Sequence, residues 1–78
     1  MTTFEILNNI FRTVFDDKSI QIAPQTTADD IDGWDSLSHI SLITAIEEHF
    51  KIRFTQKELL TLRNVGDLHR SIETKLSA

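Results

Sequence analysis

The stretch Gly33-Trp34-Asp35-Ser36-Leu37-Ser38-His39-Ile40 separates a polar connection from an apolar-periodic segment, and its reading sets the number and order of the helices. A glycine and an acidic residue close the connection, and a helix is predicted from about Ser36 to Phe50. At about 100° per residue, His39, Leu42, Ile43, Ile46 and Phe50 share one face, which marks that face for a core. Ser41, Thr44, Ala45 and Glu48 lie opposite, joined by Leu37, so the same helix has a presented side. Ser36, Ile40 and Glu47 run along one edge between the two.

Working outward, Thr2 and Glu5 have capping-box spacing, in which hydroxyl and carboxylate each take a free backbone N–H at a helix start. Phe4, Leu7, Phe11, Val14 and Phe15 then recur at three- and four-residue steps, with Asn8, Asn9 and Arg12 between them, which predicts a first helix ending near Asp16. From Asp16 to Asp35 no helical period is sustained, and Pro24 pushes Ala23 toward extended geometry. So long a connection needs packing or a function to persist in a small domain. Ile20, Ile22 and Ile31 are expected to pin it, with one turn of helix within 26–30.

Beyond Phe50, Lys51-Ile52-Arg53-Phe54 alternates basic with apolar and reads as an extended connector burying Ile52 and Phe54. Thr55 with Glu58 starts a short third helix holding Leu59, Leu60 and Leu62. Asn64 caps a last helix with Asp67 in its first turn and the stripe Val65, Leu68, Ile72, Leu76; Ser77 and Ala78 are expected to fray. The chain thus reads as all-α, a small four-helix bundle with a long first loop and a short third helix. With no repeat, low-complexity tract or linker, residues 1–78 are expected to form a single domain.

Composition narrows the function classes. The chain has 78 residues and no cysteine, so disulfides and thiolate metal sites are excluded, and any core must stand on apolar packing. One proline and two glycines suit helices better than turn-rich sheets. The net charge of −4 has the wrong sign for binding a nucleic-acid backbone and favours basic partner surfaces. No apolar run approaches the length of a membrane span, and no basic region followed by an apolar run opens the chain, so a cytoplasmic protein is expected.

Catalysis of its own is not expected. Gly33-Trp34-Asp35-Ser36-Leu37 lacks the second glycine and preceding apolar strand of a nucleophile elbow. His39 stands three residues from Ser36, but nothing supplies an oxyanion hole. No metal site is expected either: His39, His49 and His69 lack a helical metal-ligand motif, and Asp29, Asp30, Asp32 and Asp35 lack calcium-loop order.

Ser36 keeps two readings at the level of residues. Aspartate and serine are both favoured N-caps, and Ser36 could simply start the helix of a small protein-interaction domain. If Asp35 takes the cap, Ser36 falls at the first helical position with its hydroxyl free. A phosphodiester there would sit at the positive end of the helix.

At these residues the sequence resembles the acyl carrier protein family. Asp35-Ser36-Leu37 is similar to the family's attachment motif, and the similarity extends from Gly33-Trp34 through Ile46-Glu47-Glu48-His49-Phe50 to Asn64-Val65-Gly66-Asp67-Leu68. The resemblance implies that Ser36, flanked by Asp35 and Leu37, carries a 4′-phosphopantetheine arm taken from coenzyme A by a phosphopantetheinyl transferase. The arm's thiol would hold acyl groups as thioesters. It implies a monomeric carrier serving acyl-loading, acyl-transfer or condensing enzymes of fatty acid, polyketide or related specialised biosynthesis. Leu37, Ile40, Glu47 and Glu48 would form the partner surface. A cargo folded back between the helices would meet His39, Leu42, Ile43, Ile46, Phe50, Phe54, Leu59, Leu62, Leu68 and Ile72. Relative to carriers of fatty acid synthesis the second helix is less acidic, with Ser38 and Ser41 on it and Lys51 just beyond.

Overall fold

In the computed structural model, which describes residues 2–77, the helices begin where side chains can take their free N–H groups. Helix α1 spans Thr3–Val14: Thr2 Oγ1 accepts from the Glu5 N–H at 3.1 Å, and the Glu5 carboxylate accepts from the Thr2 N–H at 3.4 Å. Helix α2 spans Ser36–Phe50, α3 Gln56–Leu60 and α4 Val65–Ser77. Thr55 and Glu58 repeat the reciprocal box at α3, while Asn64 Oδ1 accepts from the Asp67 N–H at 2.8 Å to start α4. The described residues form the expected four-helix, all-α bundle with a long first loop and a short third helix.

Leu7 and Phe11 of α1, Leu42 and Ile46 of α2, and Val65 and Ile72 of α4 are fully buried, and Ile22 and Ile31 of the loop join them. Burying each such side chain contributes about 1.5–3 kcal/mol relative to leaving it in water. Helix α1 packs against both α2 and α4. The short α3 is tied down by Lys75 of α4, whose Nζ lies 2.7 Å from a Glu58 carboxylate oxygen and 5.4 Å from the centre of the Phe54 ring.

The ends of the elements depart from the sequence expectation. Helix α1 stops at Val14, two residues before Asp16, because Asp16 is left-handed at φ 50° and turns the chain away. Phe50 is half-buried rather than in the sealed core, since it is the last residue of α2 and Lys51 behind it is also left-handed. Leu76 is 44 % exposed, one turn past Ile72, the last buried residue of α4. Ser77 remains helical, its hydroxyl donating to the Glu73 carbonyl at 3.0 Å; Ala78, also expected to fray, lies outside the described residues.

The long loop is ordered by polar clamps near its beginning and at its middle. Asn8 donates through Nδ2 to the Ile20 carbonyl at 3.2 Å and accepts through Oδ1 from the Ile22 N–H at 2.7 Å; Arg12 Nε donates to the same Ile20 carbonyl at 2.7 Å. Farther on, the Pro24 and Thr26 carbonyls accept from the Gly66 and Val65 N–H groups, both at 2.8 Å, which satisfies donors that α4 cannot satisfy internally. A Cβ at residue 66 would lie 2.9 Å from the Pro24 oxygen, so this approach requires glycine. A 3-10 turn over Ala28–Asp30 supplies the expected single turn, after which the chain rises to Asp35.

Phe11→Ala removes a fully buried ring and is expected to cost roughly 3–5 kcal/mol, a large part of the stability of a domain this small. Phe50→Ala should cost clearly less. Urea titrations followed by helical circular dichroism check the order; equal losses would contradict the burial difference.

Candidate functional site

Asp35 is the N-cap of α2. Its Oδ1 accepts from the Leu37 N–H at 3.0 Å and the Ser38 N–H at 2.9 Å. Ser38 closes the motif: its hydroxyl oxygen accepts from the Asp35 N–H at 2.7 Å while its O–H donates to the Gly33 carbonyl at 2.6 Å. Gly33, at φ +86°, provides the left-handed step that brings its carbonyl round to Ser38. The Ser38 N–H, first among the donors, holds the Asp35 carboxyl below its ordinary pKa of 3.8. Ser36 is thereby the first helical residue, exposed, with a hydroxyl that makes no hydrogen bond among the described residues. Leu37 and Ile40 stand beside it at 78 % and 63 % exposure.

Behind the serine lies an open cavity of about 470 Å³ lined by Ala28, Trp34, Asp35, Ser36, His39, Leu62, Arg63, Asn64 and Leu68. Trp34 anchors the end of the loop, its ring edge-on to Phe11 at 5.2 Å and tilted against Phe15 at 6.2 Å. Its indole Nε1–H donates to His39 Nδ1 at 3.1 Å, with the two rings stacked 6.0 Å apart. Burial holds the His39 pKa below its ordinary 6.5, which favours the neutral ring that this bond requires.

Of the residues expected to line a space between the helices, His39, Leu62 and Leu68 border this cavity. Leu42, Ile46 and Ile72 are instead sealed into the core. This cavity adjoins the serine, between the loop and the start of α4.

Glu47 and Glu48, alike in sequence, differ in structure. The Glu47 carboxylate accepts from the Phe54 N–H at 2.8 Å and braces the connector, whereas Glu48 is exposed. Both border a surface depression that also contains Lys51 and Arg53, so their acidity is offset locally. The histidines are not gathered: His49 packs edge-on to Phe50, and His69 Nε2 lies 3.2 Å from Glu73. Among the described residues, no group of three or more His, Asp or Glu side chains is placed to hold a metal ion. No helix among them is long and apolar enough to cross a membrane.

Two participants were missed in the sequence. Ser38 follows Asp35 at the spacing of the third residue of a capping box, a signal masked because serine occupies the place where glutamate is usual. The Trp34–His39 bond left no signal, because it joins a loop residue to a helical one at a separation no regular period describes.

The family described as phosphopantetheine attachment site matches residues 5–72. Among solved structures, the solution NMR structure of a holo acyl carrier protein from Geobacter metallireducens is similar with 52 % sequence identity and a TM-score of 0.93, over 99 % of this chain and 88 % of that one. No curated protein matches the chain.

Because folding depresses the His39 pKa, the unfolded chain takes the proton first as pH falls below 6.5. The stabilising contribution of neutral His39 is complete above that value and is lost as pH falls through the folded-state pKa. Thermal melts should therefore show a loss of stability in this window, before the depressed carboxyls of Asp35 and Glu58 titrate at lower pH. Fluorescence of Trp34, the single tryptophan, should change with it as the indole loses its acceptor. His39→Asn should flatten both profiles between neutrality and the carboxylate range; profiles identical to those of the unmutated chain would refute the assignment.

Proposed function

The chain belongs to the acyl carrier protein family, and from that membership we propose that Ser36 is the residue that takes the family's arm. The protein is a phosphopantetheine-carrying acyl carrier protein, with 4′-phosphopantetheine as its covalent cofactor. The observation that carries the choice of Ser36 is the division of labour at the start of α2. Asp35 does the capping, and Ser36 is left exposed with an unengaged hydroxyl. A small interaction domain in which Ser36 acts only as a cap is not favoured, because that role is already filled.

The residues present suit the group. A phosphodiester on Ser36 lies at the positive end of a helix of 15 residues, where the macrodipole favours an anion. Arg63 lines the same cavity, and its guanidinium forms no ion pair with a carboxylate among the described residues, its backbone N–H alone meeting the Asp67 carboxylate. When bound, the arm supplies the thiol that this cysteine-free chain lacks, and acyl groups are held on it as thioesters. Asp35 and Ser38 keep the attachment point rigid; Leu37 and Ile40 offer apolar contact to incoming enzymes.

Those partners are a phosphopantetheinyl transferase drawing on coenzyme A, and acyl-loading, acyl-transfer or condensing enzymes of fatty acid, polyketide or related biosynthesis. The carrier itself catalyses nothing and works as a cytoplasmic monomer. In the partner surface, Glu48 is the acidic contact, while the bond from the Phe54 N–H makes Glu47 mainly a brace.

Incubation with coenzyme A, magnesium and a broad-specificity phosphopantetheinyl transferase should add one phosphopantetheine group, seen by intact mass spectrometry and absent in Ser36→Ala. A folded, unmutated chain that gains no mass would refute the attachment site. On the partner surface, Leu37→Ala and Glu48→Lys should each slow that transfer severalfold with unchanged melting temperature. Only the Glu48→Lys defect should shrink with added salt, since screening weakens encounter with a basic partner. Glu47→Lys should also lower the melting temperature, and a melt matching the unmutated chain would contradict its bracing role.

A further inference from the structure

Trp34 constrains its neighbour chemically. An indole N–H can only donate, so His39 Nδ1 must present a lone pair, and the neutral ring then carries its proton on Nε2. That second nitrogen has no hydrogen-bond partner among the described residues. Nor is it sealed off, since no buried side-chain nitrogen or oxygen among them is left without a partner. His39 is half-buried and lines the cavity beside Ser36, the space that an attached arm would enter first. A bond from Trp34 thus leaves one oriented N–H unspent at the attachment site. The flanking surface is otherwise apolar on the side of Leu62 and Leu68, with Asp35 and Arg63 the charged groups that share the cavity. Asp35 is already engaged with the helix start, and Arg63 can only donate as a cation.

We propose that the His39 Nε2–H, oriented by the Trp34 indole, is a docking donor for an amide carbonyl of the pantetheine arm, holding the resting arm in the cavity beside Ser36 instead of leaving it free in solvent. Trp34 acts through His39 as a positioning residue, while Leu62 and Leu68 supply apolar contact for the methyl-bearing part of the arm. The proposal rests on Ser36 as the attachment point. It assigns His39 no part in acyl chemistry: the ring grips the arm's backbone, which is the same whatever acyl group is carried.

The test uses the full chain with ¹⁵N-labelled histidine, loaded from coenzyme A carrying a ¹³C-labelled pantetheine. Mass spectrometry first reports the loading. In loaded protein the His39 Nε2–H should exchange with water about threefold to tenfold more slowly than in unloaded protein, the range expected for one added hydrogen bond. Nuclear Overhauser contacts should join the arm to the Trp34 indole and the Leu62 methyls. Ser36→Ala taken through the same incubation should show neither effect.

His39→Asn places an amide oxygen near the former Nδ1 and can still accept from Trp34, but it lacks the distal donor, so the arm contacts should vanish while the fold persists. His39→Gln reaches the Nε2 position with an amide N–H and should recover a measurable part of them. A loaded chain whose Nε2–H exchange is unchanged, or a His39→Asn variant with arm contacts intact, overturns this proposal and leaves the attachment site standing. Failure to load overturns both.

Discussion

The Asp35 carboxylate decides where α2 begins, and the arrangement around the serine depends on that start. By accepting two backbone N–H groups it takes the cap position, which makes the next residue the first of the helix. At that position a side chain points outward and its hydroxyl is not drawn into the capping hydrogen bonds. Ser38 locks the same turn from the other side, through the Asp35 N–H and the Gly33 carbonyl. Cap, free hydroxyl and lock therefore fall on Asp35, Ser36 and Ser38, residues that look interchangeable by helix propensity.

The position of that helix start in space is set by the long loop. A connection this long would ordinarily be loose, yet Asn8 and Arg12 grip its beginning, and the first N–H groups of α4 grip its middle. Ile22 and Ile31 add burial, and Trp34 wedges its end against Phe11 and Phe15. The loop thus works as a strut from the α1 surface to the mouth of α2. Gly66 is part of the same device, because the strut passes too close to α4 for any side chain there.

Closing the core has a consequence for cargo. Leu42, Ile46 and Ile72 are sealed into the core, while an open cleft lies beside the serine, bordered by a hydrogen-bonded Trp34–His39 pair and by Arg63. An apolar slot favours long alkyl chains; this cleft, with polar groups at its border, suits the arm itself. The presented surface is likewise more apolar than acidic, since Glu47 is spent on the connector and Lys51 and Arg53 sit beside Glu48.

The amino-acid sequence by itself determined the local features: the boxes at Thr2 and Thr55, the span of α2 and the outward placement of Leu37 and Ile40. Each depends on groups within a few residues of one another, where spacing alone dictates geometry. The resemblance pointed to Ser36 as the attachment point, and only the tertiary structure decided what surrounds it. Asn8 and Arg12 read as the polar side of α1 until the loop arrives to use them, and the bond that Glu47 accepts from the Phe54 N–H is invisible to the periodicity of α2. The exposure of Leu76, the half-burial of Phe50 and the Trp34–His39 bond likewise rest on contacts between segments far apart in sequence or out of helical phase. Periodicity reports which face of a helix is apolar; which neighbour covers that face, and how far along it, is set by packing.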